Sequence, residues 1–133
     1  MTKHRTRIHF RIPPYRAPRH AWRRHIWEAA WEAARAAGAE YRASDRLKVS
    51  VVLYFEGAAL GRHDVDNRTK DVLDALQGRV GGPKRERPCG PLIPNDSQVW
   101  QLCVAKRPPP RQSGGCGHVT VSGLRPRQLA DRS

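Results

Sequence analysis

Apolar and polar residues alternate at the start of the chain, with Ile8, Phe10 and Ile12 set against His9 and Arg11. That period of two predicts a short strand, ended by Pro13-Pro14. Over residues 21–37 the period lengthens to that of a helix. Trp22, Ile26, Ala29, Ala30, Ala33 and Ala37 form one face, which Trp27, Trp31 and Ala34 widen. Arg24, His25, Glu28, Glu32 and Arg35 form the other, and Gly38 is placed to cap the C-terminus. The many alanines predict close packing against a sheet.

Residues 48–55, KVSVVLYF, are β-branched and aromatic, which predicts a buried central strand. A glycine-containing loop then leads into a second helical pattern. From about Val65, the residues Val65, Val72, Leu73 and Leu76 share an apolar face; Asp66, Asn67, Lys70, Asp71 and Asp74 share a polar one, and Gly78 ends the helix. Residues 78–95 are rich in Gly, Pro and positive charge and read as a long loop. Ser97–Ala105 alternates Val99, Gln101 and Cys103 against Trp100, Leu102 and Val104, a strand pattern. A glycine-rich turn precedes a last strand at 118–121, and from Leu124 a polar tail is expected to be disordered.

With 133 residues the chain has the length of one domain, expected over 1–123 with a tail at 124–133. No run approaches the ~20 apolar residues that span a bilayer. The basic N-terminus lacks the apolar core of a secretory signal, so a cytoplasmic protein with no membrane partner is expected. Cys89, Cys103 and Cys116 are odd in number and form no CxxC pair, against a disulfide framework.

Charge changes the picture most. The chain has 25 Lys+Arg against 12 Asp+Glu, a formal net charge of +13. Such an excess implies a polyanionic partner, nucleic acid first. Coding bias accounts for part of the preference for Arg over Lys but for little of the net charge. Arg16, Arg19, Arg23 and Arg24, interleaved with Tyr15 and Trp22, are candidate DNA contacts, as are Arg68, Lys84, Arg85 and Lys106.

Against this basic background, Asp64, Asp66, Asp71 and Asp74 fall within eleven consecutive positions. Asp64 and Asp66 would point about 200° apart on a regular helix, but to one side in an extended segment. They can share a metal if Asp64 precedes the helix. Asp66, Lys70 and Asp74 step by i, i+4 and i+8 along the polar face. Two readings of this spacing stay open. One is a carboxylate site for Mg²⁺ with an ammonium one turn away; the other is an acidic helix start with surface ion pairs.

A second block, Asn95-Asp96-Ser97-Gln98, lies at a loop-to-strand junction. Together the blocks read D-x-D-N-x-x-K-x-x-x-D-A-L, a linker, then N-D-S-Q-V and a later Lys. This pattern resembles the RusA family of Holliday junction resolvases from about Asp64 to Lys106. The resemblance implies a small single-domain α/β (α+β) fold, a mixed β-sheet with two main helices packed on it. It also implies a homodimer that cuts four-way DNA junctions with Mg²⁺, Mn²⁺ being a possible substitute. Asp64, Asp66 and Asp96 match the family's metal-binding carboxylates and Lys70 its essential lysine. On that reading the four are catalytic, Lys70 countering charge at the phosphate, with no organic cofactor. Asn95 and Arg68 depart from the usual residues, which bears on substrate preference. A fork or flap nuclease and a non-catalytic junction- or nucleic-acid-binding protein are the alternatives. Asp74 is expected to be structural, and His63 has no assigned role.

Overall fold

The computed structural model describes residues 7–58, 61, 65–80 and 90–124. It is a small α+β domain: β1 (Ile8–Ile12), α1 (Arg19–Ala37), β2 (Leu47–Tyr54), α2 (Val65–Leu76), β3 (Val99–Arg107) and β4 (Gly117–Gly123). The four strands form one mixed sheet in the order β1-β4-β2-β3. β4 runs antiparallel to both β1 and β2, whereas β3 is parallel to β2. The expected α+β arrangement, a mixed sheet with two helices packed on it, is therefore what the chain adopts. The tail expected at 124–133 lies, from residue 125 onward, outside the described residues.

Alternation along β2 sets the layers. Leu47, Val49, Val51 and Leu53 are buried, while Lys48, Ser50, Val52 and Tyr54 are half-buried. Ile8, Phe10, Ile12, Val119 and Val121 join the first set, and α1 closes over them with Trp22, Ile26, Ala30 and Ala34. The alanines let the helix approach closely, and each large aliphatic side chain so buried contributes ~1.5–3 kcal/mol. Polar residues occupy the other face: His9 bonds Thr120 at 2.7 Å and stacks on His118.

Both helices stop at glycines with left-handed backbones, Gly38 (φ 65°) and Gly78 (φ 80°). At each, the N–H groups of the glycine and of the next residue fold back. Gly38 and Ala39 donate to Arg35 and Ala34; Gly78 and Arg79 donate to Ala75 and Asp74. This satisfies carbonyls that the helix end would leave unpaired.

Two boundaries differ from the sequence expectation. β3 starts at Val99 rather than Ser97, because Asp96–Gln98 form a 3₁₀ turn, and it runs on through Lys106 and Arg107. β4 extends to Gly123 because it pairs with β1 and β2 along its length. Part of the long-loop region is packed: Leu92 and Ile93 are buried and both donate to the Leu76 carbonyl. No described helix is long and apolar enough to cross a membrane.

Gly117 begins β4 opposite Ile12. A Cβ there would run into the Val52 carbonyl oxygen of the sheet itself. Gly117→Ala is expected to destabilise the fold by about 1–3 kcal/mol, read as a lower urea midpoint with the same slope. An unchanged midpoint would show that β4 can shift at no cost.

Candidate functional site

A buried carboxylate joins the two helices. Asp71 was expected on the polar face of α2, but its side chain is 0% exposed. Arg19 reaches Asp71 Oδ1 with Nε at 3.0 Å and Nη2 at 2.8 Å. Arg23 Nη1 stands 3.7 Å from the same oxygen and 3.7 Å from Asp74 Oδ2. Arg68 Nη2 approaches Asp71 Oδ2 at 3.4 Å while its guanidinium lies 3.9 Å over the Tyr15 ring. Tyr15 packs edge-on against Trp22, whose Nε1 donates to the Pro13 carbonyl. A charge in the interior needs partners that meet it there, and the arginines from both helices are those partners.

Two of the arginines expected as DNA contacts, Arg23 and Arg68, take part in this internal network. Their side chains are only 14% and 10% exposed and are turned inward to the carboxylates. Arg19 is half-exposed but bonded to Asp71. Sequence reasoning missed the network because a helical wheel puts Asp71 beside Asp74 and Lys70. The available signal was three arginines on nearby elements facing one more acid than the helix surface needs. Arg16, Arg24 and Lys106 are exposed. Lys84 and Arg85 lie outside the described residues.

Of the predicted acids, Asp64 also lies outside the described residues, as does His63. Asp66 is exposed in the first turn of α2, where the helix dipole favours a negative charge, and Lys70 is exposed one turn on. Asp74 is partly buried and faces Arg23 Nη1 at 3.7 Å. Burial raises its carboxyl above the ordinary range, outweighing the opposite pull of Arg23, Lys70 and Arg79.

The second motif block resolves into supports around one acid. Asn95 Oδ1 accepts from the Ser97 N–H at 2.8 Å, and Gln98 Oε1 accepts from the Asn95 N–H at 3.0 Å. This reciprocal pair is a capping box. Gln98 is buried, and its amide donates to the carbonyls of Arg42 and Asp45 at 2.8 and 2.9 Å. Asn95 and Gln98 therefore tie the start of β3 to the loop before β2. Asp96 is left exposed on the turn between them.

The topology separates the two halves. Asp96 precedes β3 at the end of the sheet where β2 begins, since Leu47 pairs with Val99. Asp66 lies at the other end, where β2 finishes opposite Arg107, two residues before the Arg68 that stacks on Tyr15. Helix α2, twelve residues and about 18 Å long, stands between them, and its last carbonyl is bonded by Leu92 and Ile93 near the Asp96 end. Among the described residues no three His, Cys, Asp or Glu side chains come together to hold a metal. Carboxylate oxygens are the right donors for Mg²⁺, but Asp66 and Asp96 do not converge within one chain.

No protein-family model matches the chain, and no curated protein matches it. The likeness to the RusA resolvases thus rests on the two motif blocks alone.

Asp71 and Asp74 are predicted to respond oppositely to neutralisation. Asp71→Asn strands up to three inward arginines and should cost about 3 kcal/mol by denaturant unfolding. Asp74→Asn should leave stability at pH 7 unchanged or slightly higher. The sign follows from the raised carboxyl: the folded state holds that proton more tightly, so the wild type loses stability as pH rises through Asp74's folded range. In Asp74→Asn that component of the pH dependence should disappear. Equal losses in both variants would refute the assignment.

Proposed function

We propose that the protein is a structure-specific endodeoxyribonuclease acting on branched DNA, the four-way junction being the substrate its motifs match best. The observation that carries this reading is the placement of Asp66 and Lys70. Both are exposed on the first turns of a helix whose opposite side is anchored by a buried ion-pair network. An acid and an ammonium held still on a chain of net charge +13 are suited to a phosphodiester backbone. The anchoring has a catalytic rationale, because a charged group positioned before substrate arrives need not be reorganised during reaction.

In this reading Asp64, Asp66 and Asp96 would hold a divalent ion, and because Asp66 and Asp96 stand apart in one chain the set would close only in the homodimer that the resemblance implies. Such an ion would supply a more acidic water and Lewis-acid stabilisation of the phosphate. The chain's own contribution is orientation and charge. Lys70 would lie against a phosphate oxygen, and the exposed Arg16, Arg24 and Lys106 would contact the backbone without reading sequence. Arg16 also lines a surface cleft of about 460 Å³ with Pro14, Tyr15 and His25, beside the start of α1. A four-way junction carries two strands to cut, which a two-fold homodimer matches.

The full-length protein with Mg²⁺ should nick a synthetic four-way junction, Mn²⁺ being the second metal to try. Asp66→Asn and Lys70→Ala should each lower nicking by at least ~10²-fold while junction binding by gel shift is retained. Cleavage that persists in chelator would overturn the metal-dependent reading. Preference for a fork or flap over the junction would move the assignment to a different branched substrate. Tight junction binding with no cleavage in either metal would make it a binding protein.

A further inference from the structure

Both helices bury their apolar sides against one face of the sheet, that of Val49, Val51, Val119 and Val121. On the other face every described strand position is exposed or half-buried. The strand register fixes which residues meet there. Arg11 pairs with His118, His118 with Val52, and Tyr54 with Arg107. The basic residues Arg11, Lys48 and Arg107 come from three different strands, and no strand position on this face is acidic. A face serving only solubility would mix both signs.

Rings lie among these charges. His9 and His118 stack with centroids 5.4 Å apart and planes 18° from parallel, and Tyr54 meets His118 edge-on at 5.8 Å. The row thus crosses β1, β4 and β2. A hydrogen bond between His9 Nδ1 and Thr120 Oγ1, 2.7 Å long, fixes the outer ring of the row, which is exposed. Burial, with His9 and Arg11 adding to it, holds His118 below the ordinary histidine range. A neutral imidazole under the row costs less to cover with a base than a charged one would.

We infer that this open face is a binding surface for single-stranded DNA, separate from the candidate active site, in which bases stack on His9 and Tyr54 while phosphates lie against Arg11, Lys48 and Arg107. It does not rest on the nuclease reading, because Asp66 and Lys70 belong to α2, on the opposite side of the sheet.

Three features select this occupant. Charge complementarity calls for a polyanion, and rings interleaved with cations suit one that also offers flat faces. A duplex hides its base faces within the stack, whereas a single strand presents them. A protein partner would need an apolar centre, and the aliphatic residues here are only Val52 and Ala105. The size agrees too: four strands span about 14 Å at ~4.8 Å per spacing, room for two or three nucleotides.

The test uses the full chain in chelator, so that no strand is cut, and reads fluorescence anisotropy with a labelled oligothymidylate of about 15 nucleotides. His9→Ala should weaken binding by ~5- to 100-fold, the loss of one stacked base. Arg107→Ala, at the exposed end of β3, should lower the log–log salt slope by about 0.7, one phosphate contact. Circular dichroism should show both variants folded. Binding of a four-way junction should be unchanged in His9→Ala. Wild-type affinity for the oligothymidylate in both variants overturns the inference, as does equal affinity of the wild type for an abasic strand of the same length, which would leave charge alone as the cause. Tighter binding of oligouridylate overturns the assignment to DNA. Equal loss of junction binding in His9→Ala overturns the separation of the two surfaces. A wild type that binds the oligothymidylate through His9 but never nicks a junction in Mg²⁺ or Mn²⁺ upholds this surface and overturns the nuclease reading instead.

Discussion

The carboxylate of Asp71 is the constraint on which the arrangement of the two helices depends. A fully buried aspartate is costly unless every approach to it is charged or hydrogen-bonded. Here the partners come from both sides: Arg19 and Arg23 from α1, and Arg68 one turn earlier on α2. Because Arg19 and Arg23 reach it from fixed points on α1, they set how α2 lies along α1, while Arg68 supports the carboxylate from within α2. Apolar packing alone, with small alanines on one side, would allow α2 to slide or rotate. Ion pairs with defined directions do not.

That rigidity reaches the exposed side of α2. Asp66 and Lys70 belong to the same three turns of helix as Arg68 and Asp71, so fixing one face fixes the other. The Tyr15 ring under Arg68 and the Trp22 ring beside Tyr15 extend the support to the end of β1. At the far end of the domain Asn95 and Gln98 do the corresponding work for Asp96. Each motif block thus contains one or two exposed charged groups and several neighbours that hold the local backbone in place. The same holds for the arginine-rich N-terminal segment, part of which neutralises Asp71 rather than an external phosphate.

Most of the fold was legible in the residue pattern. The alternation of Ile8, Phe10 and Ile12, the β-branched run of β2 and the helical faces of α1 and α2 all mark their elements directly, because burial on one side imposes period 2 or 3.6 on the chain. The exceptions have local causes. The 3₁₀ turn at Asp96–Gln98 is written in hydrogen bonds between a short polar side chain and backbone two residues on, which hydrophobic periodicity does not register. Asp71 broke the rule that acids face water because two of its three compensating charges, Arg19 and Arg23, lie about fifty residues away in sequence.

What the sequence determined by itself, then, is the identity and order of the elements, the net charge and the chemical groups available: Asp66 and Lys70 in one block, Asp96 in another. Those follow from composition and short-range spacing. Tertiary structure alone decided which of the arginines are spent inside the protein and where the two acidic blocks stand. The parallel pairing of β2 with β3 puts the start of one beside the start of the other, and α2 must span the length between. Asp66 and Asp96, members of one sequence pattern, therefore lie at opposite ends of the sheet, a separation that no local spacing rule contains.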